Sequence, residues 1–142
     1  MIIPTVRPGL VLSYSYLWWD QARRGLEEGG KDRPAVVVLT TEDKGRGLVV
    51  TIAPITHLAP GEARFCVEMQ ADTKARLGLD ASPSWIITND LNRFTWPGYD
   101  LRPIRRGSDR CEFGILPTAL LRRVRDGVLT AAREGRLRTT PR

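Results

Sequence analysis

The 142-residue sequence has little of what most catalytic and metal sites are made from. It contains a single histidine, His57, and two isolated cysteines, Cys66 and Cys111. A metal site with two histidines, a zinc cluster and a two-histidine ribonuclease mechanism are therefore excluded, and neither a Walker loop nor a GxSxG motif is present. We expect both thiols to be buried or idle in a reducing cytoplasm. An enzyme with this sequence has to work with arginine, threonine and His57.

Long apolar runs are also missing. No stretch approaches the roughly 18 apolar residues that a membrane-spanning helix needs. The first residues lack the basic segment that precedes the apolar run of a signal peptide. We therefore expect a cytoplasmic protein without a membrane partner. The length fits one domain, which we place at residues 1–135, followed by a basic tail at residues 136–142.

Positive charge is concentrated at one end of the chain. The first 100 residues carry 11 Lys and Arg against 12 Asp and Glu, whereas the last 42 carry 11 Arg against four Asp and Glu. Arginine suits phosphate and carboxylate partners because its planar guanidinium forms paired hydrogen bonds. A solvated helix face followed by a frayed tail explains the same charge without a partner.

Six segments have the apolar patterns that are typical of strands. They are residues 8–19, 34–40, 48–56, 63–70, 84–94 and 99–106. The continuous apolar run PAVVVLT predicts burial on both faces or in a small barrel, and the turn TEDKGRG joins it to the next strand in an antiparallel hairpin. A short helical turn is predicted within residues 20–28 and a short connecting helix at residues 71–79.

One long helix is predicted at residues 117–135. Pro117 suits its first turn and Gly135 its end. Its apolar residues recur with the helical period at Leu120, Leu121, Val124, Val128 and Ala131. Strands first and a helix last predict a mainly β domain of the α+β class, a small antiparallel barrel with a C-terminal helix.

Several motifs occur in an order that resembles the MazF/PemK toxin family. They are EEGGKDRP, KDRPAVVVLT, VVTIAPIT, SWIITNDLNR and FGILPTALLRRVRDGVL, and they cover most of residues 8–132. The resemblance implies an SH3-like barrel that dimerises and cuts single-stranded RNA at short sequences, without metal or other cofactor. It also implies 2′,3′-cyclic phosphate and 5′-hydroxyl products, and inhibition by a cognate antitoxin. The catalytic arginine of the family corresponds to Arg33 and the catalytic threonine to Thr56.

The residues around Arg33 support such a role. Pro34 biases Arg33 toward an extended conformation at the start of a strand. In cleavage by the RNA 2′-hydroxyl the nucleophile is already tethered to the phosphate, so the protein has to stabilise charge on a five-coordinate phosphorane. Arg33 suits that task but is a permanent cation and no general base. Thr56 suits hydrogen bonding to a phosphate oxygen or orientation of the 2′-hydroxyl. The general base stays unassigned, because strand alternation separates the candidate His57 from Thr56.

Further residues are candidates for RNA contacts. They are Lys31, His57, Asn92, Arg93 and Trp18. Trp18 offers an aromatic face for a base, and Asn92 and Arg93 end a strand where they could read base edges. The alternatives are core or interface packing for Trp18 and a surface role for the other two. The competing function is a barrel that binds protein or nucleic acid without cutting it. Leu116, Leu121 and Leu129 lean away from the side of the helix that Leu120, Val124 and Val128 form. Coverage of this second side by the protein's own loops is the alternative to a homodimer, which the family resemblance favours.

Overall fold

The protein is described by a computed structural model that covers residues 1–58 and 61–142. Eight strands, three α-helices and one 3-10 turn form the described part of the chain. The strands are β1 (Leu10–Ser15), β2 (Asp32–Asp43), β3 (Gly47–Thr56), β4 (Cys66–Glu68), β5 (Trp85–Ile87), β6 (Asp90–Thr95), β7 (Glu112–Ile115) and β8 (Arg138–Pro141). The helices are α1 (Trp19–Arg23), α2 (Ala71–Arg76) and α3 (Thr118–Arg133), and the 3-10 turn is Ala63–Phe65.

The strands form one mostly antiparallel sheet that curls into a half-barrel. The order along it is β4-β5-β3-β2-β1-β7, and β6 joins β3 to β8. The predicted hairpin of β2 and β3 is its centre, with Val36 opposite Ala53 and Val37 opposite Ile52. The predicted fold class, mainly β with a C-terminal helix and a short connecting helix, is confirmed.

Two apolar clusters lie on the two faces of the sheet because successive strand residues point to opposite sides. Val36 and Val38 pack under α3, whereas Ala35 and Val37 belong to the other cluster, which contains Tyr14 of β1 and Phe94 of β6. These four residues, Ala35 to Val38, are all buried, as the continuous apolar run predicts.

Helix α3 lies against the first cluster through Leu120, Val124 and Ala131, which are buried. Leu116 is also buried and Leu121 packs against the same core, so only Leu129 of the three leucines expected at a dimer interface is exposed, at 52%. At Gly127 the helix passes close to the side chain of Thr88, which lies between β5 and β6. Among the helices of residues 1–58 and 61–142, none is both long and apolar enough for a membrane span.

The structure corrects several predicted strands. Residues 84–94 form two strands instead of one, since β5 pairs with the end of β3 and β6 with its middle. Residues 99–106 contribute one isolated bridge, between Leu101 and Tyr14, and no strand. The edge beside β1 is taken by β7, which was not predicted. Strand β4 and helix α2 are shorter than the predicted 63–70 and 71–79.

Residues 136–142 are a further correction, because most of the expected basic tail belongs to the fold. Residues 138–141 form β8, which runs parallel to β6 with Leu91 opposite Thr139. The side chain that follows β8, Arg142, is only 4% exposed. The sequence of this segment is polar and basic, and its strand character comes from pairing with β6.

Candidate active site

The two predicted catalytic residues share one face at one end of the central hairpin. The β2–β3 register ends with Ala35 opposite Pro54, and two further residues along each strand place Arg33 opposite Thr56. Alternation puts both residues on the face that carries the aromatic cluster. Thr56 is buried, and its Oγ1 accepts a hydrogen bond from the Leu58 amide at 3.2 Å.

Arg33 is a half-buried cation without an anionic partner among the described residues. Its guanidinium carbon lies 5.1 Å from the centre of the Trp18 ring, and its buried Nε has no hydrogen-bond partner. The neighbouring carboxylate of Asp32 is 3.7 Å from Arg102 instead. Burial lowers the pKa of Arg33, opposed by the nearby Tyr16. Because a desolvated charge is costly, this guanidinium is poised to bind an anion.

Two side chains of β6 bond to the backbone on either side of Trp18 and hold this residue against Arg33. The Asn92 side chain accepts from the Leu17 amide at 3.0 Å and donates to the Leu17 carbonyl oxygen at 2.7 Å. The Asp90 carboxylate accepts from the Trp19 amide at 3.3 Å. These bonds flank Trp18 on both sides along the chain and fix the backbone that carries its ring.

Asp90, which is half-buried, and Tyr16, which is buried, form a hydrogen-bonded pair under this segment. The Tyr16 hydroxyl donates to Asp90 at 2.6 Å. Burial raises the pKa of Asp90, opposed by the hydrogen bonds from Tyr16 and the Trp19 amide. Burial, together with the Asp90 charge, raises the pKa of Tyr16 well above its ordinary value. Tyr16 therefore stays protonated and acts as a fixed donor.

Asn92 does not have the role that the sequence suggested. Its side chain is fully buried and bonded to Leu17, so it is not free to read a base. Arg142 completes this network: its Nη1 donates to Asn92 at 3.0 Å and to the Ser15 carbonyl oxygen at 2.7 Å. Its Nη2 lies 3.3 Å from Asp100. Asn92 and Arg142 therefore position the chain that carries Trp18.

Thr56 and Arg33 border different cavities. Thr56 lines a cavity of about 420 Å³, which the other described residues Trp18, Leu58, Gly61, Glu62, Phe65, Ile87 and Asn89 complete. Arg33 lines a second cavity of about 470 Å³ together with Arg105 and Arg106. Trp18 borders the first cavity and contacts Arg33, so it lies between the two predicted catalytic side chains.

His57 is held away from the Thr56 cavity, which agrees with strand alternation. Its Nε2 lies 2.8 Å from Asp80 and its Nδ1 3.0 Å from the Ser84 hydroxyl. The buried Lys74 donates to Ser84 at 2.6 Å and to Asp80 at 3.0 Å. The hydrogen bond from Lys74 holds the pKa of Asp80 below its ordinary value. His57 is thus a fixed, half-exposed side chain beside the site.

Lys31 and Arg93 are the two remaining candidates for RNA contacts. Lys31 is exposed in the loop before Arg33. That loop packs closely on β1 at Gly29, where an added Cβ would overlap the Tyr16 carbonyl oxygen. Arg93 lines a groove on the α3 face of the sheet, so the structure does not bring it together with Arg33.

The sequence did not single out Asn89, Arg105 and Arg106, which line the two cavities. The arginines belong to the basic last third of the chain, which was the available signal. Among residues 1–58 and 61–142, no three His, Cys, Asp or Glu side chains are grouped closely enough to hold a metal ion.

The chain was also compared with known proteins. No family model matches it, and no curated protein is significantly similar to it in sequence.

Proposed function

We propose that the protein is a metal-independent endoribonuclease toxin that cleaves single-stranded RNA at specific short sequences to 2′,3′-cyclic phosphate and 5′-hydroxyl ends. One observation carries this assignment: Arg33 presents a half-buried guanidinium without an anionic partner among the described residues, opposite Thr56 in the extended register. The ordered motifs that resemble the MazF/PemK family add to it.

RNA cleavage by the 2′-hydroxyl requires stabilisation of the negative charge that develops on one phosphate. The 2′-hydroxyl gives up its proton to water and its oxygen bonds to the phosphorus. The bond to the 5′ oxygen breaks, that oxygen takes up a proton from water to become the 5′-hydroxyl, and negative charge grows on the oxygens that do not bridge. A well-placed Arg33 is worth about 3–4 kcal/mol in that transition state. Thr56 Oγ1 accepts a bond from the Leu58 amide, which leaves its own proton available to orient the 2′-hydroxyl of RNA that passes Trp18 into the neighbouring cavity. Arg33 takes up no proton because it is a permanent cation.

The cavity that Arg33 borders provides a path for the RNA backbone. Arg105 and Arg106 line it with Arg33. Three guanidinium groups along one cavity attract a phosphodiester chain and release its counterions. Since Trp18 covers the other side of Arg33, the phosphate approaches from the arginine side.

The resemblance extends the proposal to partners and location. The proposal therefore includes inhibition by a cognate antitoxin, assembly of the protein into a homodimer, and a cytoplasmic location.

A second candidate function is binding of a nucleic acid or protein without cleavage. The observation that favours it is the position of Trp18 between Arg33 and Thr56, a geometry that suits anion binding as well as catalysis. Growth arrest on expression distinguishes the two: site-specific cleavage of messenger RNA supports the nuclease, and arrest with intact RNA supports the binding function.

The proposed function is tested with purified protein, mixed-sequence RNA and EDTA. We expect fragments that end in a 2′,3′-cyclic phosphate and begin with a 5′-hydroxyl. An oligonucleotide with one 2′-deoxy substitution at the cleaved position should resist, because the nucleophile is missing. RNA that stays intact over a range of pH with folded protein would contradict the proposal.

A further inference from the structure

A further cavity adjoins the one that Arg33 borders. Its volume is about 300 Å³, and Arg76 at the end of α2 and Arg110 ahead of β7 line it. It has three lining residues in common with the cavity of about 470 Å³ that contains Arg33. They are Ile104, Arg105 and Phe113. The two cavities therefore lie side by side and form one groove, the arginine groove, which leads from Arg33 to Arg76.

Most of the positive charge in the arginine groove is uncompensated. Two carboxylates line it, and each already has a cationic partner. Asp32 lies 3.7 Å from Arg102, and Glu112 accepts from Arg110 at 2.8 Å. Four arginines of the groove form no ion pair with any charged group of residues 1–58 and 61–142, and they are Arg33, Arg76, Arg105 and Arg106. Such a row of free cations attracts a polyanion.

The loop between β6 and β7 presents three of the groove's arginines in a fixed shape. The Ile104 amide donates to the Arg110 carbonyl oxygen at 2.9 Å, which closes the loop on itself. The Arg102 amide donates to the Ser13 carbonyl oxygen at 2.9 Å, which ties the start of the loop to β1. Because the backbone is already ordered, a ligand in the groove does not have to order it, and the entropic cost of binding is low.

Phe113 gives the groove an aromatic side chain where the two cavities meet. It is half-buried, packs against the core under α3 and lines both cavities. A positively charged groove that follows a phosphodiester backbone, with an aromatic side chain on which a base stacks, is typical of sites for single-stranded nucleic acid. An acidic peptide would also pair with the arginines, but it has no planar base to stack on Phe113.

We propose that the arginine groove binds the single-stranded RNA beyond the phosphate at Arg33, through the RNA backbone and without selecting its bases. Arg76 and Arg105 contact phosphates, and Phe113 stacks on whichever base lies over it, since every base has a π-face. This inference rests on the proposed function in one respect, that RNA is the ligand. It implies that the RNA on one side of the cut is held whatever its sequence.

Binding can be measured without cleavage by fluorescence anisotropy of a 2′-O-methyl oligouridine, which lacks the 2′-hydroxyl nucleophile, over a range of salt concentrations. Each phosphate contact with a single strand contributes about 0.7 to the slope of log affinity against log salt. Arg76→Ala should therefore lower that slope by about 0.7, and Arg76→Lys, which keeps the charge, should retain it.

Two more variants test the aromatic contact and the specificity of the effect. Phe113→Leu removes a stacking surface but no charge, so binding should weaken by about 5-fold at each salt concentration while the slope stays unchanged. Arg122→Ala is the matched control for Arg76→Ala, because it removes an exposed arginine of α3 that lines neither cavity. It should leave the slope unchanged and the affinity within about two-fold of the wild type.

The outcomes separate this inference from the proposed function. A lower slope in Arg76→Ala together with weaker binding by Phe113→Leu would support the groove, even if the protein cuts no RNA and the nuclease proposal fails. No binding by the wild type, or either variant matching it, would overturn the inference, even if RNA is cut at Arg33. An oligoglutamate of equal charge that binds as tightly as the oligouridine would also overturn it and indicate an acidic protein partner. Circular dichroism confirms the folding of each variant, and Phe113→Met takes the place of Phe113→Leu if the latter does not fold.

Discussion

Arg142 offers a prediction that depends on the fold and not on the function. Its side chain is 4% exposed and bonds to Asn92, the Ser15 carbonyl oxygen and the Asp100 carboxylate. Arg142→Ala leaves these acceptors without their donor. Removing one partner of a buried charge pair costs about 3–5 kcal/mol. Because Asp100 is 22% exposed and regains water, we expect a loss of about 3 kcal/mol, the lower end of that range.

Urea unfolding followed by circular dichroism measures this loss. The matched control is Arg138→Ala, four residues earlier, where the exposed guanidinium lies 3.8 Å from Asp20. Exposed pairs of that kind contribute about 1 kcal/mol or less. If the two variants differ by less than about 0.5 kcal/mol, the buried network around Arg142 is not what stabilises this end of the sheet.

Three further predictions concern the rest of the molecule. Gly127→Ala should lower stability by about 1–3 kcal/mol in urea unfolding in spite of its better helix propensity, because the new Cβ would lie 2.9 Å from the Thr88 side chain; equal or higher stability would contradict this close packing. Asp80→Asn should lower the urea midpoint at pH 7. The lowered pKa of Asp80 means that its bond to Lys74 stabilises the fold fully above the unfolded pKa of about 3.9 and loses that effect as the pH falls through the folded value. A gap between the two proteins that does not shrink at low pH would refute this reading. Light scattering should report about twice the chain mass of 15.9 kDa and Leu129→Glu a smaller particle, whereas a wild-type monomer at every concentration would refute the dimer.

The central hairpin could be predicted from the sequence because the residues that specify it are neighbours along the chain. The continuous apolar run of β2, the glycine turn and the apolar run of β3 need no distant partner to be recognised. The same holds for α3, because its own residues show both the helical period of its apolar side chains and the positions where the helix begins and ends. The sequence also contained Gly127, a poor helix residue, and the structure gives the reason in the contact with Thr88.

The parts that could not be predicted depend on partners far along the chain. Asn92 bonds to Leu17, 75 residues away, and Arg142 bonds to Ser15 across 127 residues. Nothing near Asn92 distinguishes a buried amide from one that reads a base. Strand β8 is polar and becomes a strand through its pairing with β6. The sequence could place Arg33 and Thr56 together at one end of the central hairpin. The position of Trp18 between them required the tertiary structure.

The most direct test of the account is the rate of RNA cleavage by Arg33→Ala under single-turnover conditions in EDTA. Loss of one charge-stabilising donor should slow cleavage by at least about 100-fold. Arg46→Ala, which removes an exposed arginine from the β2–β3 turn, should leave the rate within about two-fold of the wild type, as expected for a surface substitution. If folded Arg33→Ala cuts RNA as fast as the wild type, Arg33 does not stabilise the transition state and the site lies elsewhere.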